Sequence, residues 1–306
     1  MDEVRPAAAS RVTRAQWGVA VLILAVIAGS IAYRLLVIGR LEQTSLLFIG
    51  IPGLLAIVLA MTPKAKTAKG AVIRGTMIAL LLSGPLLGEG FICILTATPI
   101  FLVVGLVIAA IADHMKSRKP TTLFCIAVIL LPVSMEGTSA TLSFDRSEIV
   151  RVSRIVRGAP AQVAEALAHA PRIDTPLPAY LRAGFPRPTI AAGGGLAIGA
   201  RRSIHFAGGE GHPGDLTLRV DETRDGHVRF TVVSDTSKVA HWLDWKSSDV
   251  DWSAVDADHT RVTWTIRFDR RLDPAWYFRP WERYAVHLAA DYLIAANATP
   301  AASAVR

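Results

Sequence analysis

Residues 259–293 read HTRVTWTIRFDRRLDPAWYFRPWERYAVHLAADYL. The first part alternates. Val262, Trp264, Ile266 and Phe268 fall on one side of an extended chain, and Arg261, Thr263, Thr265 and Arg267 fall on the other. That is the pattern of a strand with one face on a core. Beyond the linker the period changes. Trp281, Tyr284, Leu288 and Tyr292 recur at helical spacing, which predicts an amphipathic helix over 280–296 with Pro280 at its first turn. A one-sided strand followed by a one-sided helix can bury both apolar surfaces by laying the helix across the sheet.

Upstream, the same alternation predicts strands over 148–156, 202–206, 216–220, 227–233, 250–255 and 261–268, with helical segments over 159–168 and 179–185. Val228, Phe230 and Val232 share one strand face, as do Leu216, Leu218 and Val220. Turn residues separate the strands at 208–211, 224–226 and 256–259. Gly193-Gly194-Gly195 with Gly199 is not a phosphate loop, because Ile198 stands where glycine is needed and a strand follows. Its expected role is to let the sheet bend. The fold class expected for 137–306 is therefore α+β, a curved antiparallel sheet gripping a long C-terminal helix.

Three stretches carry a family resemblance. EIVRVSRIVRGAPAQVAEALA (148–168), GFPRPTIAAGGGLAIGARRSIHFAGGEG (184–211) and the closing 259–293 resemble the first strand and helix, the middle strands and the final strand and helix of the START-like, Bet v 1-like superfamily. That superfamily includes polyketide cyclase/dehydrase-like proteins. The resemblance covers about residues 141–298. It implies a helix-grip fold with a cavity between sheet and helix, of a kind that binds lipids, sterols or polyketides. It implies no shared catalytic set, so no catalytic residue is carried over.

Residues 1–136 differ in kind. Of 306 residues, 52% are hydrophobic and only 19% charged, against about a quarter charged in a soluble domain. This excludes a disordered chain, a coiled coil and a small disulfide scaffold. Charge-free windows predict five membrane spans, at 15–38, 43–62, 71–88, 90–112 and 120–135. The first reads as an anchor rather than a cleavable signal. Arg5, Arg11 and Arg14, then Lys64, Lys66, Lys69 and Arg74, then Lys116, Arg118 and Lys119 fall on one side of a five-span topology. With five spans the N-terminus is cytoplasmic and the C-terminal domain is on the other side of the cell membrane; with four, the short fifth window 120–135 not crossing, the C-terminal domain is cytoplasmic too. The basic excess lies in this half, twelve Lys and Arg against six Asp and Glu, which suits anionic headgroups rather than nucleic acid. Glu89, in Gly88-Glu89-Gly90, reads as the headgroup-level tip of a helical hairpin, with an intramembrane acid as the alternative.

The candidate ligand site is the cavity wall: Phe230, Val232, Trp252, Trp264, Ile266, Phe268, Tyr284 and Leu288. The expected partners are the bilayer and a hydrophobic small molecule or lipid. No cofactor or metal is expected, because the seven histidines of the domain show no ligand spacing. Asp249 and Asp251 alternate against Val250 and Trp252, so they are expected on the exposed polar face. Two alternatives stand beside ligand binding. A cyclase- or dehydrase-type enzyme would need an acid–base pair facing inward, and an interaction module would have a filled cavity.

Overall fold

A computed structural model describes residues 13–33, 51–63, 65, 67–87, 91–115, 136, 139, 141, 143–182, 185–207 and 213–299. The chain forms two compact units, Met1–Ile129 and Leu130–Arg306.

The first unit has helices α1 (Arg14–Tyr33), α2 (Ile51–Met61), α3 (Ala68–Leu87) and α4 (Phe91–Met115). Ile23, Ala56 and Ala60 are buried together, with Ile27, Ile78, Leu81 and Leu82 packed around them. Side chains satisfy carbonyls at the end of α2, where intrahelical partners run out. The Gln16 amide donates to Thr62 O at 2.6 Å and Arg74 Nη1 donates to Pro63 O at 3.0 Å. Among the described residues, no helix is long and apolar enough to cross a membrane, so the expected spans have no support from these helices. The span expected at 120–135 lies outside the described residues, as do Glu89 and parts of the other four. The helices do leave large apolar side chains in the open, among them Leu22, Leu24, Leu54, Val58, Val103 and Ile108.

The second unit is a seven-stranded sheet in the order β1-β7-β6-β5-β4-β3-β2, antiparallel throughout. The strands are β1 (Ser147–Arg157), β2 (Arg187–Gly193), β3 (Arg201–Ala207), β4 (Gly214–Arg224), β5 (His227–Asp235), β6 (Leu243–Ala254) and β7 (His259–Arg270). Helices α5 (Pro160–Ala168) and α6 (Ala179–Arg182) lie between β1 and β2, and α7 (Ala275–Leu293) closes the chain, continuing as one π turn to Ala298. Register shifts in β2, in β4 (at two points) and in β6 bend the sheet. The result is a curled antiparallel sheet with a C-terminal helix, a helix-grip fold. One continuous core runs from Val150 and Val152 through Val163, Leu167, Leu218, Val220, Val228, Phe230 and Val250 to Val262, Trp264 and Phe268, with Val286 and Ala290 of α7 against it.

The structure departs from the expected elements in several places. β2 falls within the stretch whose resemblance implies middle strands, but alternation does not mark it. Pro186 and Pro188 mask it, and a proline is tolerated there because β2 is the sheet's edge. β6 starts at Leu243, seven residues before the expected strand, because the bulge at Trp245/Ser247 breaks its alternation. α7 starts at Ala275, not Pro280. Its first N–H donates to the Glu136 carboxylate at 2.8 Å, an acidic cap of a helix N-terminus. The buried face of α7 also differs from expectation. Glu282, Ala285, Val286 and Ala290 turn inward, while Trp281 and Tyr284 stay 41% and 49% exposed. Alanines let the helix approach a sheet whose large side chains already fill the space, and the rings are left outside. Gly193 ends β2 with a φ of 80°, and Gly194 and Gly195 begin the β2–β3 connection and fit it against the end of α5, where Gly195 N–H donates to Ala168 O at 2.6 Å.

Candidate functional site

Between the sheet and α7 lies an open-mouthed cavity of about 140 Å³. Ile204, Phe206 and Leu216 line it from β3 and β4, and Leu243, Trp245 and Ile266 from β6 and β7. Ala285, Val286, Ala289 and Leu293 of α7 form the roof, and the segment from Pro171 to Pro188 supplies Ile173, Leu177, Leu181 and Phe185. This is close to the volume of engineered apolar cavities (about 150 Å³) that stay dry and take up benzene. It holds one small ring or a short run of methylenes, and anything longer must extend through the mouth.

The few polar residues in the wall bond to main chain or to neighbouring side chains. Arg172 Nε donates to Ala296 O at 2.7 Å and its Nη2 to Thr299 O at 2.6 Å. Asn297 accepts the Arg172 N–H at 2.7 Å and donates to Leu293 O at 3.2 Å. Tyr292 donates to Thr175 O at 3.1 Å. The indole N–H of Trp245 is shared between Ser247 O and Ser248 Oγ, at 3.3 and 3.2 Å. With these groups engaged, the wall offers an occupant hydrocarbon contact.

Of the eight residues expected to line the cavity, Ile266 does so. Phe230, Trp252, Trp264 and Phe268 point to the same inner face but are buried in the packed core. Val232 packs half-buried against that core. Tyr284 is on the outer side of α7, its ring 5.2 Å from that of Tyr180, and Leu288 is half-buried. Around Phe230, Trp252, Trp264 and Phe268 the inner face is filled by those rings, so the space opens toward β3, β4, the start of β6 and the 171–188 segment. That segment has no periodicity to mark it. Its signal is apolar residues, Ile173, Leu177 and Phe185, spaced through a proline-rich loop.

Two buried polar clusters were not expected. At the β1–β7 end, Glu148 is 2% and Arg270 1% exposed, both on the inner side of the sheet. Arg279 Nε and Arg283 Nη1 of α7 each lie 2.5 Å from a Glu148 oxygen, and Arg270 Nε is 3.9 Å away. Glu282, 5% exposed, accepts the Leu272 N–H at 3.4 Å. Burial pushes its carboxyl up to about 7, against the opposing pull of backbone donors and Arg270. These groups fasten the start of α7 to β1 and β7, and none of them lines the cavity.

On the other side of the sheet, Asp249 is 4% exposed, not open to solvent as alternation suggested. Arg229 Nε and Arg267 Nε lie 2.6 and 3.2 Å from its two oxygens, and their side chains cover it. Its neighbour Asp251 is the exposed one, 2.7 Å from Nδ1 of the buried His227. Among the described residues, no group of three His, Cys, Asp or Glu side chains could hold a metal ion.

Arg202 projects from β3 into the core, 4% exposed, with its guanidinium 4.4 Å from the centre of the Phe230 ring. It donates to Leu167 O near the end of α5 and, at 3.4 Å, to Gly195 O. Burial lowers its pKa to about 10.

No family model matches the chain, and no curated protein matches it. Solved structures do. The chain is similar to the Zhui aromatase/cyclase from Streptomyces sp. R1128, with 16% identity over 50% of this chain and 90% of that one, at a TM-score of 0.33. It is similar to norcoclaurine synthase from Thalictrum flavum, with 7% identity over 50% and 97%, at a TM-score of 0.32. It is also similar to the protein of unknown function SA2116 from Staphylococcus aureus, with 12% identity over 49% and 91%, at a TM-score of 0.33.

Proposed function

We propose that this chain is a membrane-anchored protein whose C-terminal domain holds a small hydrophobic molecule, or the apolar end of a lipid, between its sheet and α7. The observation that carries the reading is the cavity wall. It is lined by hydrocarbon, and its polar groups are committed to protein partners. An apolar occupant gains about 25 cal/mol for each Å² taken out of water there. A polar one would lose hydrogen bonds that the wall does not replace. The unfilled space favours a ligand over an interaction module with a solid core. Anchoring is supported by the charge-free windows of residues 1–136 and by the apolar side chains that their helices leave uncovered. The domain then works at the surface where apolar molecules are concentrated, and the tether raises its effective concentration there.

The test is photolabelling of the full chain in membranes with a diazirine-bearing fatty acid. Label is expected on peptides carrying Ile204, Leu216 and Ala289. Ala289→Phe fills the roof and should cut labelling about tenfold, equivalent to about 1.4 kcal/mol. Labelling that ignores Ala289→Phe, or that spares these peptides, refutes the cavity as the site.

A further inference from the structure

Of the side chains that line the cavity, one carries a charge, Arg172, and none is a carboxylate. Arg172 is exposed, so the cavity wall reaches solvent at this residue. Its guanidinium is held in one orientation. Nε donates to Ala296 O at 2.7 Å and Nη2 to Thr299 O at 2.6 Å, while the residue's own N–H donates to Asn297 Oδ1 at 2.7 Å. The Nε–Nη2 edge of the fork is thus taken by main chain. Nη1, which carries two N–H groups, has no acceptor among the described residues, and no carboxylate among them lies within 4 Å of the guanidinium.

A clasp between the 171–188 segment and the end of α7 accounts for the engaged edge of the fork. It does not account for a full positive charge, rather than a neutral donor, beside a hydrocarbon wall. A second arginine adds to that charge. Arg202 lies two residues from the cavity-lining Ile204 on the same face of β3, and it is buried. Among the described residues it too has no carboxylate within 4 Å, and its Nε has no hydrogen-bond partner. A buried cation without a counter-ion is costly, and both arginines bias the surroundings of the cavity toward an anion. A free anion would gain nothing from the hydrocarbon beside Arg172, so an occupant that uses both features is amphiphilic.

We propose that the molecule held here is an amphiphile of the fatty-acid class, with part of its hydrocarbon chain in the cavity and its carboxylate at the mouth, where it accepts hydrogen bonds from Arg172 Nη1. Arg172 then selects a charged end over a neutral one, and its bonds to Ala296 O and Thr299 O hold the guanidinium ready for it. This rests on the cavity being the ligand site, as proposed above, and adds which chemical class enters it.

The experiment uses the full chain in membranes and two photolabels, a diazirine-bearing fatty acid and its methyl ester, compared at equal amounts in the membrane. The ester keeps the hydrocarbon and removes the charge. In wild type the acid should label the peptides carrying Ile204, Leu216 and Ala289 about tenfold more than the ester, the worth of a charge-assisted hydrogen bond at a partly solvated site. Arg172→Met keeps an apolar stem and should bring labelling by the acid down to that by the ester, with ester labelling unchanged. A readout that needs no variant is salt: in wild type at about 1 M the acid's advantage should shrink, because an exposed ion pair is screened. Equal labelling by acid and ester in wild type overturns the anionic end and leaves the cavity as the ligand site. An acid advantage that survives Arg172→Met, or a variant that loses both labels alike, overturns Arg172 as the group that selects the charge. No label on these peptides from either probe overturns this inference and the cavity reading together.

Discussion

Glu282 gives the sharpest prediction. Its carboxyl is carried by α7 into the contact with β7, 5% exposed, with one oxygen near the Leu272 N–H and the other without a partner. Desolvation raises its pKa from 4.5 to about 7, the nearby Glu148 adding to the shift. In the unfolded chain the group ionises near 4.5, and in the folded chain near 7, so between these values the folded state holds more proton. Stability is therefore fullest below pH 4.5 and falls as pH rises through 7. At about 1.4 kcal/mol per unit, the whole effect is about 3 kcal/mol, of which about 2.5 kcal/mol falls between pH 5 and 8. The assay is thermal unfolding of the purified full chain followed by tryptophan fluorescence, which reports this domain because six of seven tryptophans lie between Trp242 and Trp281. Wild type should lose about 5–10 °C between pH 5 and 8. Glu282→Gln keeps an acceptor for Leu272 and has no proton to lose, so it should be flatter with pH and more stable than wild type at pH 8. Parallel profiles for the two proteins, or a wild type that is flat, would refute the reasoning.

Other variants test the packing around the cavity. Arg202→Ala removes the donor to Leu167 O and the cation above Phe230, and should cost about 2 kcal/mol in denaturant titrations. Arg202→Met keeps an apolar stem over the ring and should cost about half as much; equal losses would mean that the stem contributes nothing. Gly194→Ala puts a Cβ 2.7 Å from Ala168 O. It should destabilise the domain by about 1–3 kcal/mol, and a neutral result would show that the β2–β3 connection can move away from α5.

Strand alternation and the closing helix were legible because they follow local rules. A strand with one face on a core must alternate, so the inward set Val262, Trp264, Ile266 and Phe268 could be read directly and is buried as read. The same rule misjudged Asp249. Its parity is correct, but cross-strand Arg229 and Arg267 cover it, and that covering depends on register between strands far apart in the chain. The cavity was harder still, because a void is where side chains fail to meet, and no single residue records that.

Because the hydrophobic period is a local property, the order of residues alone shows one half of the chain as charge-free windows and the other as a one-sided sheet with a terminal helix. Which side of that helix turns inward depended on packing against the folded sheet. Alanines and Glu282 went under and the tryptophans stayed out, since the choice depended on how much room the sheet's own aromatics had left. Packing also decided that the open space lies under β3, β4 and the start of β6, beside a proline-rich loop, rather than around Trp252 and Trp264, where the volume was already taken.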